Sequence, residues 1–256
     1  MTEHIKIEKE GGILTLTMAR ADKKNALTNM MYGALADALE HAETDPAIRA
    51  VLIQSEGDMF TSGNDLGEFA ATAAGVQGER HVLRFLQALT RASLPLIAAV
   101  QGRAVGVGTT MLLHCDLVFL ADDALLSAPF VSLALVPEAG SSLLLPARIG
   151  HVRAFEMFAL GDAVDASSAL AWGLANKVVP LDALHATARK AAERICKQPA
   201  GALRTTKRLM RNTGALTTQM DVESTFFFER LKSAEAREAF TAFAERRSPD
   251  FLNLAQ

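Results

Sequence analysis

Leu135-Val136-Pro137-Glu138-Ala139-Gly140 sets one carboxylate in an otherwise uncharged, mostly apolar stretch from Ala128 to Leu145. A carboxylate in such surroundings holds its proton more tightly than in water, which poises it as an acid/base near neutral pH. A mechanistically idle Glu at a helix start, favoured there by the dipole, would look the same. Two glycine-containing turns offer complementary chemistry. Met59-Phe60-Thr61-Ser62-Gly63-Asn64-Asp65-Leu66 follows a short apolar run. Gly63 opens backbone conformations closed to other residues, and Asp65 is suited to capping the next helix. Gln101-Gly102-Arg103-Ala104-Val105-Gly106-Val107-Gly108 leaves a second apolar run and enters a helix, whose first N–H groups are unpaired and partly positive. Position 111 is Met, so the dinucleotide fingerprint fails, and the Gly-Lys-Ser/Thr of a P-loop is absent. The loop therefore suits one oxyanion better than a pyrophosphate. Each turn alone also fits a plain strand-to-helix connection or close helix-sheet packing.

The surrounding pattern supplies elements to hold these segments. Ile5, Ile7 and Ile13 to Met18 alternate with polar residues around Glu10-Gly11-Gly12 and read as a β-hairpin. Helical spacing runs from Asn29 to Ala42 and closes at Asp45-Pro46. Ala50 to Gln54 and Pro95 to Val100 read as buried strands, Glu79 to Ala92 as a helix, and Thr109 to His114 as a short apolar helix. Asp116 to Leu120 and Ala124 to Ser127 read as two further strands, and the chain beyond Ala139 as mostly helical. Strands alternating with helices imply a layered α/β core. Residues 196–256 carry no strand signal and read as a helical appendage rather than a second core.

Composition narrows the function classes. The chain has 256 residues, 50% of them hydrophobic and a net charge of −3, which gives no positive field for nucleic acid or an anionic membrane. The apolar runs break well short of a membrane span. Met1 to Glu10 is polar and unlike a signal peptide, and Leu254-Ala255-Gln256 is not a peroxisomal address, so a cytoplasmic location is expected. Cys115 and Cys196 lack redox or metal spacing and read as reduced thiols. The scattered histidines show no His-x-x-x-His spacing, so no metal site is expected, and His114 reads as a packed core residue. No Gly-x-Ser-x-Gly element supports a serine hydrolase. Arg204, Lys207, Arg208 and Arg211 share one helix face, read first as solvated. Phe226-Phe227-Phe228 is too apolar for a free surface and reads as core or subunit packing.

The three segments in this order resemble the crotonase (enoyl-CoA hydratase/isomerase) superfamily, from about Ile13 to Val179 and most strongly in Leu94 to Asp116. Arg20-Ala21-Asp22-Lys23-Lys24-Asn25-Ala26-Leu27, Leu94 to Val100 and Ala171-Trp172-Gly173-Leu174-Ala175 fit it as well. The resemblance implies an α/β fold built as a spiral of ββα repeats. Residues 1–195 would form the core with the coenzyme A and active site, and 196–256 a C-terminal helical region that builds homotrimers or hexamers. It implies an acyl-CoA thioester as substrate and no cofactor beyond the coenzyme A the substrate carries. The backbone N–H groups of Asn64 and Val107 would form an oxyanion hole, where each donor is typically worth about 3 kcal/mol. Lys23, Lys24, Ala26, Ser62, Gly63, Asn64, Asp65, Leu66 and Gly106 would line the coenzyme, with Asn25 near its phosphates. Phe130 and Leu133 would border the acyl group. The coenzyme's phosphates are a second candidate partner for the Arg204–Arg211 face.

The resemblance also discriminates between reactions. The two glutamates that family hydratases use would fall at Thr110 and Phe130, and neither side chain is a carboxylate. Glu138 matches instead the single catalytic glutamate of peroxisomal-type Δ3,Δ2-enoyl-CoA isomerases. The implied reaction moves a double bond from C3 to C2 of an enoyl-CoA, with Glu138 as the only acid/base. Ring-epoxide or ring-opening isomerases of phenylacetyl-CoA-type thioesters, which carry an acid at the matching position, are the enzyme alternative. A non-catalytic acyl-CoA-binding homologue is the alternative from another class.

Overall fold

The computed structural model describes residues 2–65, 67–68 and 80–254. The chain opens with the antiparallel hairpin of β1 (Ile5–Glu10) and β2 (Ile13–Met18), closed by Gly11 and Gly12 at φ of 59° and 82°. Helix α1 (Asn29–Thr44) starts where the Thr28 hydroxyl accepts the Met31 N–H. There follow β3 (Ala50–Ser55), α2 (His81–Arg91), β4 (Leu96–Val100), the short β5 (Arg103–Val105) and α3 (Val107–Thr110). Next come β6 (Leu117–Ala121), β7 (Leu125–Ser127), α4 (Ser141–Ile149), α5 (His151–Ala159), β8 (Val164–Asp165), α6 (Ala166–Ala171) and β9 (Lys177–Val179). Helices α7 (Leu184–Cys196), α8 (Ala200–Met210), α9 (Thr213–Leu231) and α10 (Ala234–Glu245) complete the chain.

The larger sheet has the order β1-β2-β3-β4-β6-β9, parallel except for the first hairpin. Strands β4 and β6 are apolar throughout, and β3 is apolar over Ala50 to Ile53, because both faces are covered. Alternate residues go to opposite sides. Leu14, Leu16, Val51, Ile53, Ala98 and Val100 join the main core with α1 and α2. Ile13, Ala50, Leu52, Ile97, Ala99 and Phe119 meet Leu184, Ala188 and Ala192 of α7 on the other side. The smaller sheet, β5-β7-β8, lies apart from this stack in the hydrogen-bond pattern.

Four local readings differ from the sequence expectation. Within the glycine-rich segment, residues 103–105 form a strand, because they pair in parallel with β7. β8 and β9 have two and three residues, too few to show a period. The apolar helix begins at Val107 and tightens to a 3-10 turn over Met111–His114. Lys207 and Arg211 are not on a solvated face. Lys207 donates to the Leu94 carbonyl and Asp116, each at 2.7 Å, and Arg211 donates to the His114 carbonyl at 3.2 Å. The C-terminal helices share the main core through Met220, Phe227 and Leu231, while Phe226 is exposed. Both cysteines are free.

Candidate active site

In open parallel sheets, functional loops gather at the carboxyl ends of the strands. Here the chain leaving β3 and the chain leaving β4 run side by side. Thr61 and Ala104 form a parallel bridge, with Thr61 N–H to Arg103 O and Val105 N–H to Thr61 O both at 3.1 Å. Asn64 and Val107 lie the same number of residues beyond that bridge on their two strands. Among the described residues neither backbone N–H has an acceptor. Two glycines make this approach possible. A Cβ on Gly63, whose φ is 91°, would sit 2.9 Å from the Val105 carbonyl oxygen. Gly106 has open space around its Cα, yet φ of 58° with ψ of −118° is closed to side-chain-bearing residues. Val107 then opens α3, so its N–H is one of the unpaired donors of a helix start.

Glu138 stands next to this pair by two independent links. The Thr110 hydroxyl, one turn along α3 from Val107, donates to Glu138 Oε1 at 2.5 Å. The buried Tyr32 hydroxyl donates to Asn64 Oδ1 at 2.6 Å, and the same phenol is held in its neutral form by burial and by the charge of Glu138. Burial pushes the Glu138 carboxyl up to about 7; the Thr110 hydrogen bond opposes the rise and the charge of Glu223 adds to it. Glu138 itself remains partly accessible.

The turn that carries Glu138 is strained. Ala139 and Gly140 are both left-handed, with φ of 61° and 68°, which costs the alanine ~1–2 kcal/mol. It is held from two sides. His114 is buried and its pKa falls to about 3, chiefly through desolvation and then the charge of Arg211. The neutral ring receives Arg211 at Nδ1 and donates from Nε2 to the Ala139 carbonyl at 2.7 Å. On the other side the Gly140 N–H donates to Glu223 at 2.6 Å.

The remaining residues singled out in the sequence are spread along one edge of this site. Lys23 and Lys24 are exposed, and Lys24 pairs with Asp58 at 2.8 Å. Ala26 is half-buried, and the Ser62 N–H donates to the Lys24 carbonyl at 2.9 Å. Asn25 is buried and ties the loop down, its amide donating to the Glu56 and Met59 carbonyls at 2.8 Å. Asp65 accepts the Gly67 and Glu68 N–H groups, the expected helix cap, and pairs with Arg20 at 2.7 Å, which lowers its pKa. Leu66 lies outside the described residues. Phe130 is buried against Phe158 with ring centroids 6.1 Å apart, so it belongs to the core in this structure, while Leu133 is half-buried against the core. Among the described residues no three His, Cys, Asp or Glu converge as metal ligands, and no helix is long and apolar enough to cross a membrane. Sequence reasoning missed Tyr32, the Thr110 donor and Glu223. Tyr32 sits among apolar helix residues and Glu223 on a distant helix, so no local pattern marks them.

Free N–H donors beside a proton-holding carboxylate are equipment for removing an acidic C–H and stabilising the anion that forms. Comparisons with known proteins agree with that chemistry. Residues 8–253 match the family model described as enoyl-CoA hydratase/isomerase. The 1,2-epoxyphenylacetyl-CoA isomerase of Escherichia coli K12 is 33% identical over 98% of this chain and 99% of its own length. Enoyl-CoA delta isomerase 2 of Rattus norvegicus is 33% identical over 95% of this chain and 64% of its own. The crystal structure of an enoyl-CoA hydratase/isomerase from Pseudoalteromonas atlantica T6c superposes with a TM-score of 0.93 at 41% identity, covering 97% of this chain and all of that one. The spiral α/β architecture, the helical C-terminal region and the matched span together identify this chain as an enzyme of the crotonase superfamily, in the enoyl-CoA hydratase/isomerase family.

Proposed function

We propose that the protein is an isomerase that moves the double bond of an enoyl-CoA from C3 to C2, with Glu138 as its single acid/base. The thioester carbonyl lies between the N–H groups of Asn64 and Val107. The ionised Glu138 carboxyl takes a proton from C2, and the electron pair of that C–H bond moves into a dienolate whose charge rests on the thioester oxygen. The same carboxyl returns the proton at C4, which leaves the double bond between C2 and C3 and regenerates the carboxylate. The observation that carries this reading is the Thr110–Glu138 hydrogen bond, which ties one desolvated carboxylate to the helix turn that begins with the Val107 N–H. By the family resemblance Thr110 and Phe130 take the positions of the two hydratase glutamates, and neither side chain is a carboxylate, which argues against hydration. Lys23 and Lys24 at the exposed rim suit the coenzyme's phosphates, with the path continuing along Ala26 and Ser62 to Asp65.

A ring-bearing thioester is the second reading, favoured by the similarity to the Escherichia coli 1,2-epoxyphenylacetyl-CoA isomerase. The deciding experiment follows the ultraviolet absorbance of the conjugated 2-enoyl thioester formed from a straight-chain 3-enoyl-CoA, beside a hydration assay. Isomerisation lost in Glu138→Gln supports the single-base mechanism, and wild-type turnover in that variant removes Glu138 from the chemistry. Silence with the straight-chain substrate and turnover of a ring-epoxide thioester moves the assignment to the second reading. The base works ionised, so turnover falls as pH drops through about 7.

A further inference from the structure

Glu223 is a buried carboxylate on α9, only 5% exposed, that the chemistry above does not use. Its oxygens accept from three donors, all in one turn of chain: the Gly140 N–H at 2.6 Å, the Ser142 N–H at 2.9 Å, and the Ser142 hydroxyl. Gln219, one helical turn earlier, donates to that hydroxyl at 2.9 Å and keeps it aimed at Glu223. Helix α4 has no side-chain cap of its own, since its N-cap position is the left-handed Gly140. Its orphan N–H groups are thus met by a carboxylate brought from a different part of the chain, and the helix dipole favours the negative charge there. Glu138 lies two residues before Gly140, and the intervening Ala139 is strained. A turn in that conformation persists only when its surroundings fix it.

We propose that Glu223 is a positioning residue for Glu138: by gripping Gly140 and Ser142 it fixes where the Glu138 carboxyl stands. The inference rests on Glu138 being the base. A cap for α4 alone would have no business with the proton affinity of Glu138, whereas a carboxylate held against its turn does. Glu138 is faced by Thr110 from α3, by Tyr32 from α1 and by Glu223 from α9, with neutral His114 and Arg211 behind the Ala139 carbonyl. Glu223 is the group among them that places negative charge toward Glu138.

The test is Glu223→Gln, which keeps the shape and removes the charge. The titration midpoint of Glu138 is read without substrate by carbon-13 resonances of the carboxyl, assigned by their loss in Glu138→Gln. The expected result is a midpoint lowered by about half a pH unit or more, because a like charge has gone. In the assays above, kcat falls about 10- to 100-fold with KM within about twofold, as displacement of a reacting group produces. An unmoved midpoint overturns the inference, even if kcat falls, because a purely structural cap would give that result. Should Glu223→Gln fail to fold, Glu223→Asp keeps the charge and shortens the reach. A displaced Glu138 midpoint together with a lowered kcat and retained KM then supports the inference, and an unmoved midpoint or wild-type kcat overturns it. A protein silent with every thioester but showing the lowered midpoint refutes the isomerase reading and leaves the link between the two carboxyls standing.

Discussion

The two halves of the site are built by different means. The donor half, Thr61 to Asn64 beside Arg103 to Val107, is held by main-chain pairing between neighbouring strands, and its glycines remove side chains where the backbones touch. The carboxylate half, Pro137 to Gly140, has its local backbone bonds into the start of α4, from Ser141 N–H to Glu138 O at 3.0 Å and from Leu143 and Leu144 N–H to Gly140 O at 3.1 and 2.9 Å, and is held otherwise by side chains from α9 and from the 3-10 turn at Met111–His114. Backbone donors need only strand register. A carboxylate that must meet a particular carbon needs a more individual frame, and that frame comes from residues far away in the chain.

The contrast is open to attack at several points. Glu138→Gln has the largest effect: turnover drops by up to about 10⁴, the upper range for a lone acid/base. Its stability moves the other way. The carboxyl is neutral well below pH 4.5 whether folded or unfolded, and above about 7 the fold must hold it charged. Removing that burden stabilises the protein at pH 8 by up to about 3 kcal/mol and hardly at all near pH 4.5. Thermal melts at the two pH values check the sign. Second in size are the donor glycines. Gly63→Ala brings both strain and a contact at 2.9 Å, and Gly106→Ala brings strain alone. Losing one donor's alignment costs about 10²–10³ in kcat, so Gly63→Ala is expected at or beyond that range and Gly106→Ala below it. Steady-state kinetics on the two variants give the order, and the reverse order would mean that close approach is not what Gly63 provides.

Thr110→Val is smaller and reports on the carboxylate half. The hydroxyl stabilises the ionised form, so its loss raises the Glu138 pKa and moves the acid limb of the rate profile to higher pH, by about one unit for a hydrogen bond to a charged group. At pH 7 that lowers the rate about fivefold, and raising the pH restores most of it. Lys24→Ala is smallest. Its pair with Asp58 is fully exposed, so the melting temperature barely moves, and a few-fold rise in KM is the effect a coenzyme contact would leave.

The same contrast explains what the sequence makes legible. The parallel strands are readable because burial on both faces leaves uninterrupted apolar runs such as Leu96 to Val100. The donor turns are readable because Gly63 and Gly106 mark backbone constraints in the sequence itself. Glu138 is readable as a carboxylate amid apolar residues. Its support is not: Glu223 reads as an ordinary helix Glu, and Arg211 as a surface cation until its contact with His114 is known. Strands of two or three residues such as β8 and β9 are equally silent, since they exist only through their partners.

His114 carries a consequence for the enzyme's tolerance of acid. Its imidazole holds a proton only below about 3 in the folded chain, against 6.5 when exposed, so unfolding takes up a proton at intermediate pH. Stability contributed by this residue is intact above 6.5 and drains away as the pH falls toward 3. The enzyme therefore meets acid in two stages. On the proposed mechanism, activity fades first and reversibly as Glu138 is protonated near 7. At lower pH the anchor of the same turn favours the denatured chain, so acid inactivation passes from a titration into a loss of structure.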